Sequence, residues 1–584
     1  MSVPAGMPGW ATKEVAAGGA METFGKARPE ARETSATVTR VGRLALLFGT
    51  FSLLLLGAAA STLLAGTPAP AVTTTASTSS ITTVTSPSVV AVSGHGWGHG
   101  LGMSQWGAYG YAKHGWTYDR ILAHYYTGTT LGPASVASVR VLLASAKKTT
   151  ISSTAAWTVT DAAGTKVQLD PGALVLTPKL MLTDHPELQP PYSFTGKQPL
   201  LVDSVPYRGR MAVSSDGKLV QVIDTVGLES YVKGVVPAEM PSTWSTEALK
   251  AQAVAARSYA LANLAKGRPY DLYGDTRSQV FGGVKVEAPA TNAAVDATKG
   301  EVVLYKGKVA DTLFFSSSGG RTASALEATG QNVPYLVPVA DPYDTLAPYH
   351  DWGPVLLDAA KVAKTLKLAS ALADIQAVDG PSGRVKSVTM TSDDESEVTI
   401  NGNQARTMFD LRSTWFTPTL LELPAQSKTI TYGGAVSLKG VVRNADSVSL
   451  EAKAFGLDWA PAGDLLPDAD GAFATIVKPQ IATQYRLAWG NARAGLVKIA
   501  VAPRVDATIA QGSATGKIAP ALPNAAVQLQ WSQDGTTGWQ TLATATTDAT
   551  GAFTVSATPQ TGTYRVRVAP GHGLAPGLSK PVCC

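Results

Sequence analysis

The sequence predicts an α+β domain with mixed sheets and one strong Ala-rich helix, followed by two all-β sandwich-like repeats and preceded by an N-terminal membrane segment. Three observations carry this prediction. An apolar run without a charge lies at 44–65, strand-like alternation gives way to an Ala-rich span after residue 231, and two tail segments match at a fixed offset. The 584 residues amount to several typical domains of about 150, so several cores are expected.

The composition excludes several classes of protein. Only 16% of the residues are charged, and the net charge of +5 comes from 48 basic and 43 acidic residues without a long run of like charge. A nucleic-acid partner is therefore not expected. Cys583 and Cys584 are the last two residues, which leaves no disulfide framework within a domain and no cysteine-based metal cage. We expect neither a cofactor nor a metal.

The N-terminal part predicts the location of the protein. The stretch 44–65 is long enough to cross a membrane once, and Arg40 and Arg43 precede it. We assign 1–43 to a cytoplasmic segment and 44–65 to a transmembrane anchor, with a cleaved signal segment as the alternative. The Ser-, Thr- and Pro-rich segment 66–90 is predicted to be a flexible stalk. By the positive-inside bias, the remainder lies in the cell envelope outside the cytoplasm.

The tail repeats itself. Three of its residues recur further along the chain. The first set is Trp459, Asp468 and Tyr485, and the second set is Trp539, Asp548 and Tyr564, at offsets of 80, 80 and 79 residues. Alternating runs and Gly-containing turns within each set predict two antiparallel sandwiches, at 425–503 and 504–582. Binding to the wall or to a partner and a simple spacer role remain alternatives.

A glycine-rich segment opens the predicted domain at 91–420. In GHGWGHGLG, glycine occupies every second place, so an extended chain would have one bare face and would present His95, Trp97 and His99 on the other. Imidazoles beside an aromatic ring suit a sugar. One alternative is a glycine-rich turn with packed histidines, and a second is a zinc site. No carboxylate recurs here at the spacing expected of zinc ligands. A short helix capped by Ser104 is expected to follow.

Glu239 is the strongest candidate for chemistry. From 136 to 230 the pattern predicts strands, and an Ala-rich helix capped by Ser245 then follows VVPAEMP. Because Pro241 pushes Met240 out of helical geometry, Glu239 is expected in an apolar loop. Burial there would raise the pKa of its carboxyl, as a general acid requires. A solvent-facing glutamate is the alternative.

Further polar residues are candidates for ligand contact. Gln252, Arg257 and Tyr259 lie on the Ala-rich helix, and the turn SSSGGR offers hydroxyls, backbone amides and a guanidinium suited to a polyhydroxy ligand. A solvated arginine and a polar turn without a ligand are the alternatives. The complete set of predicted substrate-binding residues is His95, His99, Ser104, Gln105, Gln252, Arg257, Tyr259, Ser316, Ser317, Ser318 and Arg321.

Long motifs in this region resemble a known family. They are YVKGVVPAEMPSTWSTEALKAQAVAARSYA, FFSSSGGRT, PYLVPVADPYD, LRSTWF and GHGWGHGLGMSQWGAYGYAKHGWTYDRILAHYYTGT. Over about 91–417 the chain resembles the stage II sporulation protein D and amidase enhancer (LytB-like) family. The resemblance implies a lytic transglycosylase that cleaves peptidoglycan glycan strands, with Glu239 as the catalytic glutamate.

Two departures from the family pattern stand out. In the family the GHGxGMSQ element follows the STWF segment, whereas here it precedes the strand region, which implies a circular permutation. Some members also carry zinc-binding cysteine and histidine residues where this chain has Tyr273, Arg277 and Ser278. The resemblance therefore implies no zinc in this chain.

The alternatives for function differ in what they require. A wall-binding protein that enhances a cell-wall amidase needs no catalytic carboxyl. A muramidase that hydrolyses the same bond needs a second carboxylate near Glu239. The candidates for that second carboxylate are Asp224, Glu229, Asp275 and Asp311.

Overall fold

A computed structural model describes residues 88–265, 267–510 and 512–583. The predicted cytoplasmic segment, the membrane segment 44–65 and almost all of the stalk lie outside the described residues. Within the described ranges, no helix is long and apolar enough to span a membrane.

The described residues form a mixed α+β protein in which strands predominate, as the sequence predicts. The eight α-helices within these ranges are α1 (Gln105–Lys113), α2 (Tyr118–Tyr125), α3 (Leu228–Glu239), α4 (Thr246–Ala262), α5 (Pro289–Ala297), α6 (Ala325–Thr329), α7 (Ala359–Leu366) and α8 (Gly402–Met408). Two short 3-10 helices lie at Gly283–Val286 and Asp344–Leu346.

Strands β1 to β22 belong to the first part of the described chain. They are β1 (Ser88–His95), β2 (Met103–Ser104), β3 (Thr130–Pro133), β4 (Ser138–Ala146), β5 (Thr149–Ser153), β6 (Trp157–Thr160), β7 (Lys166–Leu169), β8 (Gly172–Leu176), β9 (Tyr192–Gly196), β10 (Leu200–Val202), β11 (Val205–Tyr207), β12 (Arg210–Ser215), β13 (Val220–Gly227), β14 (Leu272–Tyr273), β15 (Glu301–Tyr305), β16 (Lys308–Val309), β17 (Phe314–Phe315), β18 (Asp351–Asp358), β19 (Leu372–Asp379), β20 (Val385–Ser392), β21 (Glu397–Asn401) and β22 (Phe416–Glu422).

Strands β23 to β37 form the tail. They are β23 (Gln426–Thr431), β24 (Val436–Arg443), β25 (Val448–Ala454), β26 (Ala460–Leu465), β27 (Ala472–Val477), β28 (Thr483–Trp489), β29 (Ala492–Ala502), β30 (Arg504–Ala510), β31 (Ser513–Ala519), β32 (Ala526–Ser532), β33 (Gln540–Thr546), β34 (Ala552–Ser556), β35 (Thr563–Ala569), β36 (Gly577–Leu578) and β37 (Val582–Cys583).

The central helices pack against a seven-stranded sheet. Its strand order is β14-β4-β13-β12-β9-β6-β7, in which β14 runs parallel to β4 and the other neighbours are antiparallel. A turn at Asp216 joins β12 to β13, and the Asp216 carboxylate accepts the amide of Lys218 at 2.8 Å. One hydrophobic core joins this sheet to α1, α2, α3 and α4.

Helix α4 follows directly from its composition. Ala-rich sequence favours helix, and its small side chains let neighbouring elements approach closely. The helix begins after Ser245, as predicted, and almost every residue from Ala248 to Leu261 is buried. It contacts α1, α2, α3 and α5. The helix therefore runs through the domain centre and supports the elements that surround Glu239.

The position of Glu239 differs from the expected loop. It is the last residue of α3, which includes Pro237, and Met240 then leaves the helix in an extended conformation with φ −128° and ψ 141°. The restriction imposed by Pro241 is therefore confirmed at Met240 but does not reach one residue further back. Glu239 lies at a helix C-terminus, which is a more rigid position than a loop.

The extended conformation expected for the glycine-rich segment is wrong. β1 ends at His95, and Gly96, Gly98, Gly100 and Gly102 have φ values of 70°, 114°, 84° and 73°. The chain winds tightly past neighbouring backbone, and a Cβ atom at Gly96 or Gly102 would overlap a carbonyl oxygen. Only glycine adopts such angles without strain, so the alternating glycines encode a turn.

β1 lies beside the segment that precedes the tail. It pairs antiparallel with β22, with Ser88 opposite Glu422 and Gly94 opposite Phe416. The His95 amide donates to the Trp415 carbonyl at 2.9 Å. In the family order, β22 would run into β1 through a short turn at the end where Ser88 and Glu422 meet. The pairing supports the permuted order inferred from the sequence.

The first tail repeat is joined to the domain. A five-stranded sheet has the order β18-β1-β22-β24-β27, so strands of the repeat extend the sheet that contains β1. The other sheet of this repeat has the order β23-β29-β28-β25-β26, and Val89 and Leu421 share its hydrophobic core. A spacer role for this repeat fits poorly with a shared sheet and core.

The second repeat has the same internal contacts as the first. Its sheets are β30-β31-β34 and β33-β32-β35-β36, with β37 also paired to β35. Arg486 lies over Trp459 at 4.0 Å, and Arg565 lies over Trp539 at 3.9 Å, so the repeated residues make equivalent cation–π contacts. Each contact holds the strand that begins after its tryptophan.

A buried carboxyl on β13 predicts an unusual pH dependence. Asp224 is fully buried, and neither of its carboxylate oxygens has a hydrogen-bond partner among the described residues. Burial raises the pKa of Asp224 to about 8, whereas the pKa of an aspartate in an unfolded chain is about 3.9. Between these two pH values the folded state holds a proton that the unfolded state releases. The free energy of unfolding must therefore fall as pH rises through this window.

The variant Asp224→Asn should remove this pH dependence, because the amide needs no proton to remain neutral. We expect the variant to be more stable than the parent by a few kcal/mol at about pH 8 and similar to it at about pH 4. Hydrogen exchange of peptides covering β12 and β13, compared at each pH, measures the effect. An equal difference between the two proteins at both pH values would refute the assignment.

Candidate active site

Three segments meet around Glu239. The side chain is partly exposed at the end of α3, and its Oε1 accepts the backbone amide of Val280 at 3.0 Å. The side-chain amide of Gln105, the first residue of α1, donates to the Glu239 carbonyl oxygen at 3.1 Å. The Val280 loop therefore orients the carboxylate, and α1 holds the backbone behind it. Of the predicted ligand residues, Gln105 makes a direct contact with Glu239.

Tyr259 is the other predicted residue near Glu239. Burial raises the pKa of Tyr259 to about 12, with further increases from the nearby carboxyls of Asp311 and Glu239, while a hydrogen bond with Ser278 opposes the rise. The carboxyls of Asp311 and Glu239 therefore both raise the pKa of the same phenol. The Tyr259 hydroxyl remains protonated at neutral pH, and it belongs to the polar surroundings of Glu239.

The loop that carries Val280 is fixed by buried and exposed contacts. The buried Gln279 amide donates to the Tyr231 hydroxyl at 3.1 Å and to the Ala256 carbonyl at 3.2 Å. On the surface, Arg277 stacks over Tyr273 at 3.9 Å and pairs with Asp275 at 2.7 Å. These contacts occupy the stretch that carries zinc ligands in some members of the resembled family. Among the described residues, no cluster suited to a metal ion occurs.

The contacts of Gln279 predict a positioning role. In Gln279→Leu, the Tyr231 hydroxyl loses its partner and the neighbouring Val280 amide shifts relative to Glu239. For the glycan cleavage that the family resemblance implies, we expect the rate to fall by about tenfold or more, because small displacements of the implied catalytic carboxyl are costly. The free energy of unfolding should fall by about 1–3 kcal/mol.

The matched control is Arg277→Ala in the same loop. Its ion pair with Asp275 is exposed, so the change should lower stability by less than about 1 kcal/mol. Steady-state cleavage rates and thermal unfolding of both variants test the role. A Gln279→Leu protein with the cleavage rate of the Arg277→Ala protein would rule it out.

The serine-rich turn does not present its hydroxyls at the surface. Ser316, Ser317 and Ser318 are buried, and Ser317 and Ser318 contact the buried carboxylate of Asp344. Five groups donate to that carboxylate at 2.7–3.1 Å, namely the hydroxyls of Ser104 and Ser317, the amides of Ser318 and Gly319, and Nδ1 of His350. The turn therefore builds the interior of the domain, and Ser104 caps α1 through Gly107 as predicted.

The predicted histidines and Arg321 have different surroundings. His95 is partly exposed, pairs with the exposed Asp351 at 2.6 Å and packs against Trp415. His99 bonds the Phe314 carbonyl at 3.0 Å, and burial, with Arg406 nearby, lowers the pKa of its imidazole to about 4. Arg321 is exposed. The histidines thus do not form the single ligand face expected from an extended chain.

Arg257 and Gln252 are both fully buried in α4. The Arg257 guanidinium makes a bidentate contact with Glu229 at 3.1 and 2.7 Å and also donates to the carbonyl of Glu301. It therefore holds helices and a strand together and offers no surface to a substrate in this structure. Neither amide atom of Gln252 has a hydrogen-bond partner among the described residues.

The candidate second carboxylates have different surroundings. Asp224 is fully buried, Glu229 is paired with Arg257, and Asp275 is paired with Arg277. Asp311 accepts the Asn263 side chain at 3.0 Å and lies near Tyr259. Burial raises the pKa of Asp311. Of these four carboxyls, Asp311 is the one that shares a neighbour with Glu239.

Three aromatic residues on segments that meet at Glu239 were not predicted as site residues. Tyr109 stacks on Trp244 with ring centroids 4.7 Å apart, and Trp106 also lies 4.7 Å from Trp244. Trp244 follows Glu239 by five residues, and Trp106 follows Gln105, which contacts Glu239. The sequence did contain a signal for them, because a tryptophan ends each of the two motif segments MSQW and PSTW.

The domain therefore has a candidate site centred on one glutamate. Glu239 is partly exposed at a helix end, a loop amide holds its carboxylate, and aromatic rings lie on the adjoining segments. Comparison with known proteins gives a family match for part of the chain. Residues 216–305, which include Glu239 and most of its surroundings, match the family model of stage II sporulation protein, SpoIID. This match supports the resemblance that the sequence motifs indicate to the stage II sporulation protein D and amidase enhancer family.

Several relatives match part of the chain. An uncharacterized protein of Brachyspira hyodysenteriae is 40% identical over 138 residues, or 23% of this chain and 38% of that protein. The amidase enhancer of Bacillus subtilis is 42% identical over 113 residues, 19% of this chain and 15% of the relative. Stage II sporulation protein D of Bacillus subtilis is 32% identical over 145 residues, 22% of this chain and 42% of the relative. The chain thus spans less than half of each of these relatives.

A solved structure of a marsupial T cell receptor is 13% identical and covers 29% of this chain and 100% of its own. Its TM-score of 0.13 is too low to bear on fold or function.

Proposed function

We propose that this protein is a peptidoglycan lytic transglycosylase that cleaves glycan strands and leaves 1,6-anhydro-muramoyl ends. The match of residues 216–305 to the SpoIID family supports a cell-wall-related role, and the finer assignment rests on Glu239. The observation that carries it is a partly exposed carboxylate oriented by the Val280 amide. The site would act in the cell envelope, held there by a membrane anchor at 44–65 or released after cleavage of a signal segment.

A single carboxyl is sufficient for this reaction. The Glu239 carboxyl donates its proton to the glycosidic oxygen as the bond from that oxygen to the muramoyl C1 breaks. The resulting carboxylate accepts the proton of the C6 hydroxyl, whose oxygen bonds to C1 and closes the anhydro ring. No water is consumed, and Glu239 ends with its proton restored. The nucleophile belongs to the substrate, so the step gains the effective molarity of an intramolecular reaction.

The surroundings of Glu239 suit the two roles. A helix C-terminus disfavours negative charge, whereas the Val280 amide stabilises it, so these two local influences support the protonated and the ionised carboxyl respectively. The rise in pKa expected from the sequence stays a prediction. Tyr259 is a neutral donor at the same site.

An amidase enhancer without catalysis is the second candidate. One relative carries that name, and the first tail repeat shares a sheet with the domain, which gives a rigid surface for a wall polymer or a cell-wall amidase. This candidate requires strand binding but no bond cleavage.

Mass spectrometry of soluble products separates the candidates. The full chain is incubated with purified sacculi and with peptide-stripped glycan strands. Lytic transglycosylation predicts anhydro-terminated fragments from both. Reducing ends would indicate a muramidase, with Asp311 as the first carboxyl to test. Intact strands, together with faster release of peptides by an added amidase, would favour the enhancer.

A further inference from the structure

Three partly exposed aromatic rings form a continuous patch on two of the segments that meet at Glu239. Tyr109 and Trp244 stack with an interplanar angle of 20°, and Trp106 contacts both, with its centroid 4.7 Å from Trp244 and 6.0 Å from Tyr109. Lys113, one turn further along α1, lies 5.9 Å from the Tyr109 ring. Rings that only filled a core would be buried, but all three keep exposed surface.

The patch is joined to the catalytic glutamate through short connections. Gln105 precedes Trp106 and donates to the Glu239 carbonyl oxygen. The Trp106 amide donates to Ser316 at 3.0 Å, and the Trp244 amide donates to Pro241 at 3.0 Å, so the backbone of both tryptophans is fixed. Trp244 also packs on the central hydrophobic core. The rings are therefore held in place before any ligand arrives.

We propose that Trp106, Tyr109 and Trp244 form a sugar-stacking subsite that binds a pyranose ring of the glycan strand beside the bond cleaved at Glu239. A pyranose has an apolar face of C–H bonds with slight positive charge, which complements the negative face of an aromatic ring. The occupant follows from continuity with the Glu239 site. The inference rests on the proposed function for its substrate, although it concerns binding alone.

The subsite explains why the rings come from two parts of the chain. Trp106 and Tyr109 lie on α1, which belongs to the permuted glycine-rich element, and Trp244 lies between α3 and α4. Only the folded domain brings the two parts together. A glycan strand that stacks on this patch is aligned relative to Glu239, which fixes the bond that receives the proton.

The test measures binding without turnover. In the full chain carrying Glu239→Gln, Trp106→Leu and Tyr109→Leu each remove a ring and keep apolar bulk, whereas Trp106→Phe and Tyr109→Phe keep a ring. The probe is peptide-stripped glycan, with the dissociation constant measured by co-sedimentation. The matched control is Trp539→Leu, which removes a partly exposed tryptophan from the tail.

Each leucine variant should weaken glycan binding by about fivefold or more, while the phenylalanine variants and Trp539→Leu bind like the parent. Unchanged binding in both leucine variants overturns the subsite, as does equal weakening by leucine and phenylalanine. Circular dichroism checks folding, and if Trp106→Leu fails to fold, Tyr109→Leu decides. Because binding is measured without cleavage, wild-type protein that releases no anhydro products would refute the proposed reaction without deciding the subsite.

Discussion

Replacing Glu239 by glutamine is expected to lower the rate of glycan cleavage by roughly 10²- to 10⁴-fold while binding of glycan strands persists. Glutamine keeps the size of the side chain and retains an oxygen that can accept the Val280 amide. It cannot donate a proton to the glycosidic oxygen or accept one from the C6 hydroxyl. Product release by mass spectrometry and strand co-sedimentation measure the two quantities separately.

A second carboxyl-to-amide variant shows whether Glu239 acts alone. Asp311→Asn changes the carboxyl that shares Tyr259 with Glu239. If one carboxyl is sufficient, this variant keeps most of the cleavage rate. Full activity of Glu239→Gln would contradict the assignment, and an equal loss in both variants would contradict catalysis by a single carboxyl.

Replacing Asp344 by asparagine is expected to destabilise the domain strongly. The buried carboxylate accepts five hydrogen bonds from two distant segments of chain and from nearby His350, among them those of the Ser104 hydroxyl and the Gly319 amide. In asparagine, an NH2 group replaces one of the two carboxylate oxygens. That group would face hydrogen-bond donors and could not accept from them. We expect a loss of about 3–5 kcal/mol in the free energy of unfolding, because buried donors lose a charged acceptor.

Urea unfolding followed by circular dichroism measures this loss. The matched control is Asp351→Asn, whose carboxylate is 73% exposed and pairs with His95. That change should cost less than about 1 kcal/mol. Equal effects of the two substitutions would show that the Asp344 cluster does not hold the domain together.

Local features of the fold were predictable from the sequence. The start of α4 after Ser245, the Ser104 cap and the extended Met240 depend on neighbouring residues, and all three are confirmed. The alternating glycines were also visible. Their spacing of two fits an extended strand and a series of left-handed turns equally well, and only the neighbouring backbone decides between them.

Features that depend on distant residues were not predictable. Arg257 pairs with Glu229, which lies 28 residues earlier in the chain, and Ser318 contacts an aspartate 26 residues later. Because these partners are distant in sequence, both motifs appeared free to bind a ligand. The strand pairing of β1 with β22 joins segments more than 300 residues apart. Burial is a property of the whole packed domain, and the spacing of residues does not contain it.

Cleavage in water labelled with heavy oxygen tests the central claim most directly. If Glu239 protonates the glycosidic oxygen and the C6 hydroxyl is the nucleophile, the new muramoyl ends contain no solvent oxygen. The account therefore predicts anhydro ends without label from the wild-type protein and no new ends from Glu239→Gln. New ends that carry the label would show that water is the nucleophile and would contradict the account.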